Sequence, residues 1–236
     1  MGYESPMPVQ EEVIPFLLGD DNDVIALAQT GTGKTAAFGL PILQKIDVTT
    51  YHPQALVLCP TRELCLQIAD DLNDYSKYID NLKVLPVYGG SSIESQIKTL
   101  KRGVHVVVAT PGRLLDLMNR KTVDLSLVKN VIMDEADEML NMGFTDSINA
   151  ILAEVPENRN MLLFSATMPK EIANITKKYM KNPKEIVIGN KNEGNKNIRD
   201  IYYMVQARDK YLALKRIADF YPNIYGIVFC RCLLYT

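Results

Sequence analysis

The sequence predicts an α/β fold, a mostly parallel sheet covered by helices on both faces. Three observations point there. Apolar stretches recur along the chain as continuous runs rather than alternating ones, which is how strands buried on both faces read. Amphipathic helical segments separate them, the arrangement that parallel strands require. Finally, a short polar motif stands just after most of the runs, as expected where a parallel sheet gathers its binding loops at the carboxyl ends of its strands.

In chain order, residues 8–18 carry apolar side chains at helical spacing (Val9, Val13, Ile14, Phe16, Leu17), with Pro8 in the first turn and Gly19 as a stop. Asp20-Asp21-Asn22-Asp23 is a polar turn before a first strand at 24–27, and a helix beginning near Ala36-Ala37-Phe38 follows. Further strands are predicted at 55–59, 84–88, 104–109, 128–133, 161–165 and 185–188, and further helices at 62–78, 92–100, 112–118, 144–152 and 170–180. Residues 189–197 hold no hydrophobic residue and read as a linker. Beyond it a strand at 201–205, a helix at 210–220 and a strand at 224–230 predict the start of a second α/β unit. There is no internal repeat.

Composition narrows the function classes. With 236 residues, 47% of them hydrophobic, the chain can bury a sizeable core. No apolar run is long enough for a membrane span, and the N-terminal region around Glu4 lacks a secretory pattern, so the expectation is a cytoplasmic protein without membrane contact. Cys59, Cys65, Cys230 and Cys232 have no zinc-like spacing and are expected as free thiols. With only His52 and His105 present, histidine-based metal or triad chemistry is not indicated. A net charge of −2 argues against gripping nucleic acid by overall charge, so any such contact must come from placed groups.

Ala28-Gln29-Thr30-Gly31-Thr32-Gly33-Lys34-Thr35, between the first strand and a helix, is the relaxed form of a phosphate-binding loop, with Ala28 where the strict pattern has Gly. Inward-pointing backbone N–H groups and the positive end of the helix would cradle nucleotide phosphates. Lys34 would reach the β and γ phosphates and the Thr35 hydroxyl would ligate Mg²⁺; the alternative is a glycine-rich turn between core elements. Asp134 and Glu135 follow the apolar 131–133 at a strand end. Mg²⁺ keeps several waters, so Asp134 is expected to hold it through water, while Glu135 orients and activates the attacking water. The alternative there is a solvated acidic helix start. Gln10 has an amide that matches the N6 and N7 edge of adenine, although a Gln in a first helical turn is usually just solvated.

Together these pieces resemble the DEAD-box ATP-dependent RNA helicases, bacterial members in particular. The resemblance rests on the stretch from Gly2 to Gln10, the loop from Ala28 to Thr35, Pro60-Thr61-Arg62-Glu63-Leu64, Gly89-Gly90, Thr110-Pro111-Gly112-Arg113-Leu114, Asp134-Glu135-Ala136-Asp137 and Ser165-Ala166-Thr167, in that order. It implies a RecA-like domain in which Gln10 reads adenine and Lys34, Thr35, Asp134 and Glu135 hydrolyse ATP with Mg²⁺. It also implies that Pro60, Thr61, Arg62, Gly90, Thr110, Gly112 and Arg113 contact the RNA sugar–phosphate backbone, which gives sequence-independent binding. Asp137, Ser165 and Thr167 would couple the two sites; the alternative for the hydroxyls is capping of the next helix. One departure is Met7, where the family usually has Thr or Ser; another is the lack of the upstream aromatic that stacks on adenine.

The resemblance divides the chain into an incomplete Q-motif region (1–10), an ATP-binding domain (11–188), a linker (189–198) and a truncated second RecA-like domain (199–236). A fragment is expected: Met1 stands just before the Gly2-Tyr3 of the motif, and Cys232-Leu233-Leu234-Tyr235-Thr236 resembles the translation of a sequencing adaptor. On that expectation the chain alone turns over ATP weakly, because the second domain's arginine motifs are absent. The competing classes are another P-loop ATPase or kinase and a non-catalytic nucleotide-dependent RNA-binding module. Nothing in the sequence indicates oligomerisation.

Overall fold

A computed structural model describes residues 4–19, 23–29, 31–188 and 201–229. The chain divides into two compact units, Met1–Glu193 and Gly194–Thr236. In the first, the order is α1 (Pro8–Gly19), β1 (Val24–Leu27), α2 (Lys34–Gln44), β2 (Ala55–Leu58), α3 (Arg62–Tyr75), β3 (Val84–Val87), α4 (Ile93–Lys101), β4 (Val106–Ala109), α5 (Pro111–Asn119), β5 (Asn130–Met133), α6 (Ala136–Asn141), α7 (Thr145–Glu154), β6 (Asn160–Ser165), α8 (Lys170–Tyr179) and β7 (Lys184–Val187). The seven strands form one sheet in the order β3-β4-β2-β5-β6-β1-β7, and every pairing is parallel.

Successive strand residues face opposite sides of the sheet, and here both sides are dry. On one face Ile25, Leu56, Val107, Val131 and Leu163 pack with Leu114, Leu117, Met139, Ile148 and Ile172 from the helices. On the other, Val24, Val57, Val106, Ile132 and Phe164 pack with Val9, Val13, Phe38, Ile68 and Leu72. The strands are therefore apolar at every position because neither face meets water. Phe38 and Phe164 stack at 5.3 Å between ring centroids, joining the helix after β1 to the strand beside it.

Buried Asp23 is the polar brace at the amino ends of the strands. Its Oδ1 accepts from the Met161 N–H at 2.6 Å and its Oδ2 from the Lys181 N–H. One carboxylate thus ties β1 to both of its neighbours, β6 and the chain entering β7.

The predicted elements form, with shifts at their ends. β4 and β5 begin two residues later than 104 and 128, and α3 stops at Tyr75, where the Ser76 N–H bonds back to the Leu72 carbonyl. The sequence reading missed α6, whose 6 residues are too few to display a helical period. In the second unit the expected strands at 201–205 and 224–230 are corrected. The described residues there carry a 3₁₀ turn (Ala207–Asp209) and α9 (Lys210–Phe220) but no strand. A strand exists through its ladder, and apolar runs without a pairing partner stay as exposed chain: Tyr202, Met204 and Phe229 are all exposed. The expected linker lies outside the described residues, as do Gly2, Tyr3, Thr30, Cys230 and 232–236. Among the described residues no helix is long and apolar enough to cross a membrane.

Asp23→Ala should cost about 3 kcal/mol, because two buried N–H groups lose a charged acceptor, and should lower Tm by roughly 10 °C in a unit of this size. Asp23→Asn should fall between. Urea and thermal unfolding check both; a parent-like Tm for the alanine variant would remove the brace.

Candidate functional site

The strand order sorts the motifs along one rim of the sheet. β5, β6 and β1 are neighbours and release, at their carboxyl ends, Asp134 to Asp137, Ser165 to Thr167 and the loop from Ala28. β3, β4 and β2 are neighbours and release Gly89-Gly90, Thr110 to Arg113 and Pro60 to Arg62. The candidate nucleotide groups thus share one half of the rim and the candidate RNA groups the other, meeting where β2 pairs with β5.

In the first half the loop is anchored on three sides. The Ala28 N–H donates to the Ser165 carbonyl at 3.0 Å, continuing the β1–β6 ladder one residue past the strand. Lys34, 7% exposed, donates through Nζ to the Ala28 carbonyl at 3.3 Å and stands 4.0 Å from Asp134 Oδ1. Buried Gln10 donates from Nε2 to the Gly33 carbonyl at 3.1 Å and accepts from the Met7 N–H at 2.9 Å, so α1 is tied to the loop. Gly33, the residue before α2, has φ 79°, and a Cβ there would also run into Gln10 Nε2; both the torsion and the space call for glycine. Gln29 is exposed, Gly31 also has positive φ, and the Thr32 hydroxyl closes the loop on the Gln29 carbonyl at 2.8 Å. Thr35 lies in the first turn of α2.

Asp134 and Glu135 are not a solvated helix start. Asp134 is 3% exposed, and burial pushes its carboxyl up to about 6; Lys34 pulls against that shift, and Glu135 adds to it. Its Oδ1 accepts from the Glu135 N–H at 3.0 Å. Glu135 precedes α6 in the left-handed region (φ 50°, ψ 50°) and makes no side-chain cap bond. A left-handed non-glycine residue is strained, and such strain concentrates at functional positions. The donor set of one buried carboxylate and one hydroxyl fits a hard cation that keeps most of its water; among the described residues no group of three or more His, Cys, Asp or Glu could hold a metal.

Asp137 Oδ2 accepts from both the Thr167 hydroxyl (2.8 Å) and the Thr167 N–H (3.0 Å), which joins the loop after β5 to the loop after β6. The residue capping α8 is Pro169, so neither Ser165 nor Thr167 is a helix cap. Ser165 is wholly buried, and its Oγ has no hydrogen-bond partner among the described residues.

In the other half Thr61 caps α3, its hydroxyl accepting from the Leu64 N–H at 3.2 Å. Arg62, exposed, lies over the Tyr88 ring at 5.1 Å. Gly90 has φ 83°, and a Cβ there would sit 3.5 Å from Arg62 Nη1. Pro60 and Thr110 are buried, Thr110 preceding α5 without a side-chain cap bond, and Gly112 is exposed. Arg113 Nη1 donates to the Ser91 carbonyl at 3.2 Å and to Gln96 Oε1 at 3.1 Å.

Tyr88 and Gln96 escaped the sequence reading. A signal for Gln96 was present: it lies with Ile93, Ile97 and Leu100 on the apolar stripe of α4, where a polar residue needs a partner. A polar cleft of about 960 Å³ opens at the amino ends of the strands, lined by Asp23, Lys129, Arg159 and Lys181 among others, and contains none of the predicted site residues.

A family model described as DEAD/DEAH box helicase matches residues 7–175. Among curated proteins, the ATP-dependent RNA helicase DeaD of Mycobacterium tuberculosis is 49% identical over 98% of this chain and 40% of its own length. The DEAD-box ATP-dependent RNA helicase CshA of Bacillus cereus is 47% identical over 98% of this chain and 44% of its own. The chain therefore spans less than half the length of these relatives. Among solved structures, a DEAD box protein from the hyperthermophile Methanococcus jannaschii superimposes with a TM-score of 0.76 at 43% identity, covering 98% of this chain and 61% of that one.

The raised Asp134 pKa sets a pH dependence of stability. A carboxyl that binds its proton more tightly folded than unfolded favours folding at acid pH, and that advantage is lost as pH rises from about 4 to about 6. Asp134→Asn lacks this titration. The Tm difference, variant minus parent, measured with chelator and no nucleotide, should grow between pH 4 and 7 by the equivalent of about 3 kcal/mol at most. A difference flat across that range would mean that Asp134 titrates normally.

Proposed function

Since the chain belongs to the DEAD/DEAH box helicase family, we propose that it binds ATP on the β1–β6–β5 half of the rim and the RNA backbone on the β2–β4–β3 half, and that hydrolysis at the first remodels RNA at the second. The observation that carries this reading is the sheet order, which separates the two motif sets and brings them together at the β2–β5 pair.

Each proposed chemical role has a feature of the geometry in its support. The backbone N–H groups of the glycine-rich loop and the positive end of α2 would cradle the phosphates. Lys34 sits between the loop carbonyl of Ala28 and Asp134, and its ammonium would pair with a phosphate oxygen. One N–H and one lone pair of the Gln10 amide remain after its bonds to Gly33 and Met7, enough for the adenine edge. Mg²⁺, held by Thr35 and through water by Asp134, would neutralise phosphate charge. Glu135, next to Asp134 and outside any cap bond, orients the attacking water and takes its proton. Asp137 and Thr167 carry a change at the phosphates toward the RNA half. Arg62, Arg113 and the backbone around Gly90 and Gly112 suit phosphate and sugar, so binding is tolerant of sequence.

In a chain that includes the second domain, Glu135→Gln should reduce RNA-stimulated ATP hydrolysis by about 10²-fold or more while nucleotide affinity stays within about twofold, since only the water-orienting carboxylate is lost. Lys34→Ala should instead weaken nucleotide binding. Hydrolysis with and without single-stranded RNA, beside a fluorescent-nucleotide titration, separates these effects; parent-rate turnover by Glu135→Gln would discard its role.

RNA binding should weaken steeply with salt and vary by less than about tenfold across unrelated single strands, because phosphate contacts set affinity. Anisotropy titrations at two or more salt concentrations check it. A larger spread at fixed salt would indicate base reading.

A further inference from the structure

Three loops of the RNA half come from three different strands, and one buried side chain touches two of them. Gln96, 6% exposed on α4, donates from Nε2 to the Tyr88 carbonyl at 3.1 Å and to Ser91 Oγ at 2.6 Å. Its Oε1 accepts from Arg113 Nη1 at 3.1 Å. The same Nη1 donates to the Ser91 carbonyl at 3.2 Å, and Ser91 Oγ donates to the Tyr88 carbonyl at 3.3 Å. The Tyr88 ring in turn supports Arg62 at 5.1 Å.

We propose that Gln96 is a positioning residue for RNA binding: it fixes the Arg113 guanidinium and the 88–91 turn in one register, so that the loops after β3 and β4 present their groups to a single backbone path. The inference rests on the reading of Arg113 and Gly90 as RNA contacts. The physical reason is the shape of the guanidinium. It is a planar fork with five donors, and anchoring Nη1 on two acceptors leaves the rest of the fork aimed in a set direction. Without Gln96 the fork keeps only the Ser91 carbonyl and can rotate about it. The 88–91 turn loses a donor shared between a carbonyl and a hydroxyl, and Gly90 sits inside that turn. The entropy of ordering both loops then falls on the RNA-binding step.

A buried glutamine could also serve stability alone, so the test must read coupling. RNA affinity is measured by anisotropy with a labelled single-stranded RNA for the parent chain, Gln96→Ala, Arg113→Ala and the double variant, with fluorescent-nucleotide affinity as control. Gln96→Ala should weaken RNA binding about tenfold, the usual worth of a hydrogen bond to a charged group, and leave nucleotide affinity within about twofold. The part of the effect that runs through Arg113 vanishes once the fork is gone and only the part carried by the 88–91 turn remains, so the double variant should bind no more than about threefold worse than Arg113→Ala alone, not by the product of the two effects. Gln96→Met keeps the packing volume and should repeat the alanine result, which holds the test open should the alanine variant fold poorly. RNA affinity of Gln96→Met within twofold of the parent, or multiplicative losses in the cycle, would overturn the inference while leaving the RNA reading intact. A parent chain that binds nucleotide but no RNA would overturn both.

Discussion

Parallel strands cannot be joined by hairpins. Each must be followed by a crossover that brings the chain back to the same starting edge, so all seven strands of this sheet release the chain at one rim. Everything else in the site depends on that polarity. Both faces of the sheet are closed by helices, leaving no interior position for charged groups, and the rim is where the loops can hold them. The strand order then decides which loops are neighbours, and it places the acidic pair after β5 between the glycine-rich loop after β1 and the loops after β2, β4 and β3.

The rim is held by a small number of polar links, and their costs differ. Gln10 to Gly33 and Asp137 to Thr167 are ordinary satisfied bonds between elements distant in sequence. Asp134 is not ordinary: it is a buried carboxyl whose nearest cation, Lys34, stands at 4.0 Å, too far to offset its desolvation. Glu135 adds a left-handed backbone. Two adjacent residues are thus held against local preference by the packing beneath them, with Met133, Ala136 and Met139 wholly buried around them. Local cost maintained by a well-packed surround is the usual form of a reactive site.

Much of the candidate site was legible in the sequence. Glycine-rich and acidic motifs are read through residue type and position after a strand, and Lys34, Thr35, Asp134 and Glu135 need nothing more. What the sequence hid has a common cause. Gln96 matters through hydrogen bonds to Tyr88, Ser91 and Arg113, partners 5 to 17 positions away, and no local pattern announces such bonds. That the Ser165 hydroxyl has no hydrogen-bond partner among the described residues is equally unreadable from the sequence, since it depends on what the fold packs around it. In the second unit the reverse happened. Residues 201–205 and 224–230 have strand-like composition, but a strand is a property of a pair, and composition describes only one member.

The β2–β5 pair has a dynamical meaning. The Asp134 N–H donates to the Leu58 carbonyl at 2.9 Å, so the ladder at the centre of the sheet runs up to the candidate catalytic pair itself. The two halves of the rim are therefore mounted on one stiff sheet, and close-packed interiors of this kind resist shear. Communication between the halves has to pass through rotamer changes and loop shifts above the sheet. Such motions fall in the picosecond to microsecond range, so a signal passing between the two halves within this unit would be fast compared with the collective motion of whole domains.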